Sequence, residues 1–537
     1  MSVRPLARRR LAFLVPALGV ATGLTLPAGT PATAEPGGTL RVSAEDAPDS
    51  LDPAFAYSAR GWQILSNTGA GLLAFRRRAG SAGAVPVPDL AASLPSVSDG
   101  GRRYVFRLRP GLRFSGSTTR PVKPSDVKAS IERLFTGASR ARVLYRGIAG
   151  ARSFERSGRG GISGIVARDD AGTLEIRLSR PDPTFLRALA LPFAHVVPRE
   201  TSSRESRGPL PGAGPYTVSS YDAGERLVLD RSRQYRRRGE LAPGQVDRID
   251  VRFGATGSSA FRSIQRGSLD YAQDAPSSSE RRALAGGDSG ARLRRYTEGS
   301  VYYFFMNTRT APFTSTAVRR AVDAAIDRSR LARMFRGNAV PTAQILPPGI
   351  PGYRRAPVER PDLAAARRAV NASGARGTLV TVWGQTTDPS ASATRAVAAT
   401  LNRIGLRAAV RLESRSRLLR AYGDPGSRVQ MGYARWHQNV PDGADYLDTL
   451  LAGDRAGSLN YSRFDVPVVN RLISRARVTL DPSRRAAAWN AAERAVLARA
   501  PWAPFANTVR HDVVSRRVRG YVPHQTFGFL WMVAQVR

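Results

Sequence analysis

The sequence predicts an α/β protein built of two or three lobes. Two observations carry that expectation. The chain has 537 residues, 42% of them hydrophobic, which is more than a single core organises well. Along it, short runs that read as strands give way repeatedly to apolar residues at helical spacing, and such alternation packs as sheets covered by helices. No short-period internal repeat replaces this order.

The first residues, "MSVRPLARRRLAFLVPALGVATGLTLPAGTPATAEPGG", read as a secretory leader over residues 1–34. A basic start precedes an apolar run from Leu11 to about Leu26, broken by Pro16 and Gly19, and Ala32-Thr33-Ala34 is a small-x-small cleavage site. An uncleaved anchor is the alternative, but the run is shorter than the roughly 20 apolar residues a spanning helix needs. Arg8-Arg9-Arg10 leaves both general secretion and the twin-arginine route open.

The first strand pattern of the remaining chain lies around Leu40 and Val42. Turn residues through Pro48 and Pro53 follow, then a helix from about Gly61 to Leu73. "RRYVFRLRPGLRF" sets Tyr104, Phe106 and Leu108 on one face and Arg107 and Arg109 on the other, a half-buried strand closed by a Pro-Gly turn. Ser125 or Asp126 caps the next helix. Further strands are "GTLEIRLSR", "RLVLDR" and "VDRIDVRFG".

In the centre, an aromatic run from Val301 leads into Val318, Ala321, Val322, Ala325 and Ile326, spaced as one helical face. Strand then helix recurs at "GTLVTVWGQ" with a helix from about Ser392 to Ile404, and another strand follows at "LRAAVRLES". Asp481-Pro482 caps and opens a long Ala-rich helix that carries Trp489, Val496 and Leu497.

Composition narrows the function classes. No cysteine occurs, so an exported chain of this size has neither disulfides nor the lipid-bearing Cys of a tethered lipoprotein. The expectation is release into the periplasm or the cell-wall space. The net charge is +40, yet only Lys123 and Lys128 are lysines and the arginines run from end to end. Without a basic arm or an aromatic-and-Arg motif, nucleic acid is not the expected partner. Attraction to anionic wall polymers or lipid is, and salt weakens it.

Catalytic and metal constellations are weak. "GDSG" at 287–290 has the letters of a serine-protease loop but stands in a Gly/Ser-rich linker with no matching upstream His. His195, His437, His511 and His524 are scattered and lack i, i+4 partners. Gly158, Gly160 and Gly161 lack the strand-to-helix context of a phosphate loop. No catalytic residue, metal or cofactor is expected, and His437 reads as a rim or surface residue.

Several segments together resemble the bacterial extracellular solute-binding proteins of family 5, which serve peptide and nickel ABC importers. They are "LDPAF", "SDGGRRYVFRLRPGLRFSG", "VKPSDVKASIERL", "GAGPY" at Gly212 to Tyr216, and "MNTRTAPFTSTAVRRAVDAAIDRSRL", in the family's order over nearly all of the mature chain. The resemblance implies a periplasmic-binding-protein-like fold of two α/β lobes with a β-rich subdomain inserted in the first. Lobe I would comprise 35–72, an insert at 73–190, and 191–289. Lobe II would span 290–505, and the chain would return to lobe I at 506–537. Hinge closure over a solute is the motion that goes with this architecture.

The same resemblance points to "WHQNVPDGADYLDTLL", Trp436 to Leu451. In the family a Trp is followed three residues later by an Asp that pairs with a peptide's α-ammonium, then by a Pro-rich turn and an aromatic-Leu pair. Trp436 matches the Trp, Pro441-Asp442 the turn and Tyr446-Leu447 the pair, so Asn439 stands in place of the Asp. A second register makes Asp445 the anchor, and Asp442 could offer charge from nearby. Losing a charge-assisted bond weakens binding by roughly ten- to a hundred-fold. Tyr57 and Ser58 after the "LDP" turn, Trp383 and Gln385 after a second-lobe strand, and Tyr433 complete the candidate ligand contacts.

The resulting expectation is a non-catalytic, monomeric exported receptor. It takes a peptide or similar small solute and delivers it to an ABC permease driven by a separate ATPase. A different organic solute, such as a sugar, a modified amino acid or a siderophore-like molecule, remains open because of Asn439. From another class, a secreted hydrolase is the competing reading.

Overall fold

The computed structural model describes residues 37–255, 257–273, 276–285, 291–456 and 458–537. The expected leader and the GDSG string lie outside them. Among the described residues, twelve strands form one continuous sheet with two halves. In the first half Tyr216–Asp222, Arg226–Arg231, Arg248–Phe253, Thr39–Ala44 and Tyr271–Ala272 lie side by side. In the second, Arg407–Glu413, Leu379–Gln385, Met431–His437 and Ser300–Met306 do so.

Strand Trp502–Ser515 belongs to both halves. Its first residues pair with Ser300–Met306, and its last with Tyr271–Ala272 and Ala291–Thr297. Strands Ala291–Thr297 and Ser300–Met306 are separated only by Glu298 and Gly299. The chain therefore passes between the halves twice at one place, where Tyr296 lies opposite Arg510.

Each half has its own core, which makes the fold two-lobed. Leu40, Val42, Ile249, Val251 and Tyr271 belong to the first-lobe core. In the second lobe the sheet is covered on both faces, so alternate residues serve different cores. Tyr302, Phe304 and Met306 enter one, and Val301, Tyr303 and Phe305 the other. This two-sided burial is the physical reason for the unbroken apolar run at 301–306.

An antiparallel sheet of Ser96–Ser98, Arg103–Arg107, Thr173–Arg177 and Ile165–Arg168 forms a β-rich subdomain on the first lobe. Alternation sends Tyr104, Phe106, Leu174 and Ile176 into the first-lobe core. The helix beside it starts at Pro124, with Lys123 as its cap residue. Asp126 acts from the third helical position by accepting the Lys123 N–H at 2.8 Å, while Ser125 binds Asp169. The cap is thus two or three residues earlier than expected, because the fixed φ of proline suits the first helical position.

The helix expected to reach Leu73 is Ala59–Thr68, and it ends at Gly69. A Cβ at Gly69 would fall 2.1 Å from His195 Nδ1, so only glycine lets the buried imidazole approach the chain there. Helix Pro482–Leu497 follows its expectation, with Asp481 accepting the Arg484 N–H at the cap. No helix among the described residues is long and apolar enough to cross a membrane.

Candidate functional site

Strand Met431–His437 is the centre of the site. The Gln438 N–H donates to Gly299 O and the Asn307 N–H to Gln430 O. These two bonds set the phase of the antiparallel ladder, so the main-chain groups of Arg435 and His437 point away from Ser300–Met306. On that other side Leu379–Gln385 pairs only at Met431 and Gly432. Tyr422 OH caps the Tyr433 carbonyl. Beyond it, no strand pairs with this edge among the described residues.

Just past the edge, the chain wraps around Asp445, in the first turn of helix Ala444–Leu451. Trp436 Nε1–H donates to Asp445 Oδ2 at 3.0 Å, the Asn439 N–H to the same oxygen at 2.8 Å, and Asn439 Nδ2 to Oδ1 at 3.3 Å. The Val440 N–H bonds it too. Burial pushes the Asp445 carboxyl up to about 6, and these donors oppose the rise. Trp436 is half-buried against the second-lobe core, and Asn439 is exposed.

Asp442 is fully buried. Arg485 grips it with Nε at 3.1 Å and Nη2 at 2.8 Å, and the Ala444 N–H donates at 2.9 Å. Arg187, from the helical turn Phe185–Ala188 in the first lobe, reaches it at 3.1 Å. Burial alone would raise this carboxyl, but the two guanidiniums outweigh it and hold it below the usual carboxylate range. The charge of Asp442 is committed inside the protein, where it ties the lobes together, because neither lobe could bury its arginine alone at acceptable cost. Gln438 Nε2 adds a second contact between the lobes, to Thr526 Oγ1 at 3.2 Å. Val440 packs into the first-lobe core.

The remaining expected residues divide. Trp383 shares the second-lobe core with Trp436 and carries Arg411 over its ring at 4.2 Å. The Gln385 N–H donates to Ser390 Oγ at 2.9 Å. Tyr433 is buried, its ring packed among Tyr302, Phe304 and Phe505. Tyr57 and Ser58 lie in the first lobe. Ser58 caps helix Ala59–Thr68, and Tyr57 OH joins Ser139 Oγ at 2.9 Å and accepts the Ala141 N–H. Among the described residues no hydrogen bond joins these two to the Trp436 group.

Sequence reasoning missed the charged groups at the crossing strands. Arg435 and His437 project from the same face of their strand, opposite Tyr302 and Ser300. Arg435 Nη1 donates to Tyr302 OH at 3.3 Å and lies 5.7 Å from that ring. Glu298, in the link between strands Ala291–Thr297 and Ser300–Met306, and Arg510, on strand Trp502–Ser515, pair at 3.4 Å. His437 is open to solvent, yet walled closely enough to hold its imidazole below its ordinary value. Deeper in the first lobe, Asp512 accepts from Tyr271 OH at 3.0 Å and Tyr521 OH at 2.8 Å, and burial pushes it up to about 7. Alternation in "YARWH" could have grouped Arg435 with His437. Only the fold brings Glu298 and Arg510 to them.

Among the described residues no cluster of three or more His, Cys, Asp or Glu is arranged to hold a metal ion. The arrangement offers an open strand edge, an aromatic wall and charged groups.

Comparisons with known proteins converge. A family model described as the middle region of bacterial extracellular solute-binding proteins, family 5, matches residues 85–458. The chain is 24% identical over 492 residues to the probable D,D-dipeptide-binding periplasmic protein DdpA of Escherichia coli K12, covering 88% of this chain and 89% of that one. It is 24% identical over 459 residues to the glutathione-binding protein GsiB of the same strain, covering 82% and 85%. Among solved structures, clavulanic acid biosynthesis oligopeptide binding protein 2 superposes with a TM-score of 0.80 at 26% identity, covering 94% and 96%. The unliganded open form of the murein tripeptide binding protein MppA gives 0.79 at 21%, covering 94% and 99%.

Proposed function

Because this chain belongs to family 5 of the bacterial extracellular solute-binding proteins, we propose that it captures a peptide or a similar small solute between its lobes. It then hands the guest on unchanged to an ABC permease whose ATPase is a separate protein. The observation that carries this reading is the unpaired edge at Arg435 and His437 beside the half-buried Trp436. An extended peptide adds to such an edge through main-chain hydrogen bonds, independent of its side chains, while an aromatic wall packs its apolar part. Closing the first lobe over it removes the guest from water and strengthens each polar contact.

The names of two relatives, a D,D-dipeptide binder and a glutathione binder, support a peptide-like guest. The leader at 1–34 and the lack of cysteine support export without a lipid tether. Release into the periplasm or wall space places the receptor where such a permease collects its cargo.

The test is thermal unfolding of the mature chain with and without a mixture of short peptides, followed by mass spectrometry of what stays bound. A guest at a hundred times its Kd adds about 2.7 kcal/mol of stability, and its recovered mass should equal the mass supplied. No peptide-dependent shift would overturn the reading. A guest recovered as cleaved product would favour the hydrolase instead.

A further inference from the structure

The acids around Trp436 are all engaged. Asp442 is held by Arg485 and Arg187, and Asp445 by four N–H donors. Asp448 is bound by Arg477 at 3.1 Å, and Glu298 pairs with Arg510. Asn439, the residue exposed at the head of this loop, is neutral. A guest's ammonium would have to displace a guanidinium from Asp442, Asp448 or Glu298, displace the neutral donors that fill buried Asp445, or remain unpaired.

Arg435 is the opposite case. It is exposed on the face of the open edge, and its bonding partner is the neutral Tyr302 hydroxyl. Among the described residues no acid lies within ion-pair distance of it. With Glu298 and Arg510 paired to each other, Arg435 keeps a positive charge on this exposed face, and the His437 imidazole two residues along the same face adds a neutral donor.

We propose that this cleft selects anionic, amine-blocked peptide-like solutes, taking a carboxylate or similar anion on Arg435 and leaving an α-ammonium unread. This rests on the peptide reading above and names the guest class for that same site. A planar guanidinium held on a tyrosine face presents its fork of N–H donors to a carboxylate in a fixed direction. Asp512 does not replace the missing anchor, since it lies fully buried beneath two tyrosine hydroxyls.

The experiment offers the mature chain one defined mixture of short peptides in three forms: untreated, N-acetylated, and methyl-esterified. Bound peptide is quantified by mass spectrometry. Acetylation should leave retention within about three-fold, whereas esterification should lower it at least ten-fold, the range of one charge-assisted bond. R435Q should retain acid and ester forms equally, at the ester level of the natural protein, and its melting temperature checks that it folds. A ten-fold loss on acetylation overturns the amine-blocked class. Equal retention of acid and ester by the natural protein overturns the role of Arg435, whatever R435Q does. Retention of none of the three forms overturns the peptide reading itself, and this inference with it.

Discussion

Asp442→Asn is the sharpest test of how the site is held. The carboxylate is fully buried, and the side chains of Arg485 and Arg187 that face it are 3% and 12% exposed. An amide keeps the shape but removes the charge that both guanidiniums were desolvated to meet. Removing one partner of such a buried arrangement costs about 3–5 kcal/mol. At roughly 2–4 °C per kcal/mol for a unit the size of the second lobe, its unfolding should fall by about 6–20 °C. Calorimetry and urea titration of the ligand-free chain measure this.

The double variant Asp442→Leu with Arg485→Met should recover part of that loss, because two buried charges leave together and apolar groups of similar volume replace them. The sign with pH is also set. Since the Asp442 carboxyl is held below its usual range, its stabilisation is present above the unfolded value near about 3.9 and fades as pH falls through the folded value. The deficit of Asp442→Asn should therefore shrink in acid. A loss below about 1 kcal/mol at neutral pH, or a double variant no better than the single one, would show that the buried network is not what fixes the loop.

Three further outcomes follow from other residues. Glu493 accepts the Ile345 and Leu346 N–H groups on one oxygen, and burial pushes it up to about 7. As an acid raised above its unfolded value, it destabilises increasingly as pH climbs from about 4.3 to that point, so Glu493→Gln should gain on the natural protein between pH 5 and 8 in urea midpoints; an equal difference at both pH values refutes this. Gly443→Ala should cost about 1–3 kcal/mol in the same titration, because its Cβ would fall 2.5 Å from the Trp489 ring; a neutral result refutes the packing. Asn439→Asp alone sets two carboxylates 3.3 Å apart with Asp445, so free-amine peptides should gain at least ten-fold in affinity only when Asp445→Asn accompanies it, as calorimetric titration would show.

Legibility in the sequence followed how each segment is buried. Strands with one wet face, such as Arg103–Arg107, announce themselves by alternation. Met431–His437 does not, because both of its faces are covered along most of its length, so "MGYAR" carries no period that separates in from out. Helix phases came through, but the end of Ala59–Thr68 did not, since it is set by His195 far along the chain. The same reason hid the chemistry of Asp442. Its neighbours in sequence made it a source of charge for a ligand, whereas Arg485 stands 43 residues away and Arg187 in another lobe. Long-range partners decide whether a charge is spent or free.

Composition bears on that choice more than any motif does. With 82 basic residues against 42 acidic ones, an acid buried near the cleft meets competing arginines, and Asp442, Asp448 and Glu298 have each acquired one. Arginine remains charged at any physiological pH and is weakly hydrated, so a ligand ammonium cannot displace it cheaply. The surplus cations have no such competitor, and Arg435 rests on a neutral hydroxyl. A chain so rich in arginine thus makes an ammonium anchor costly to keep and an anion contact easy to provide.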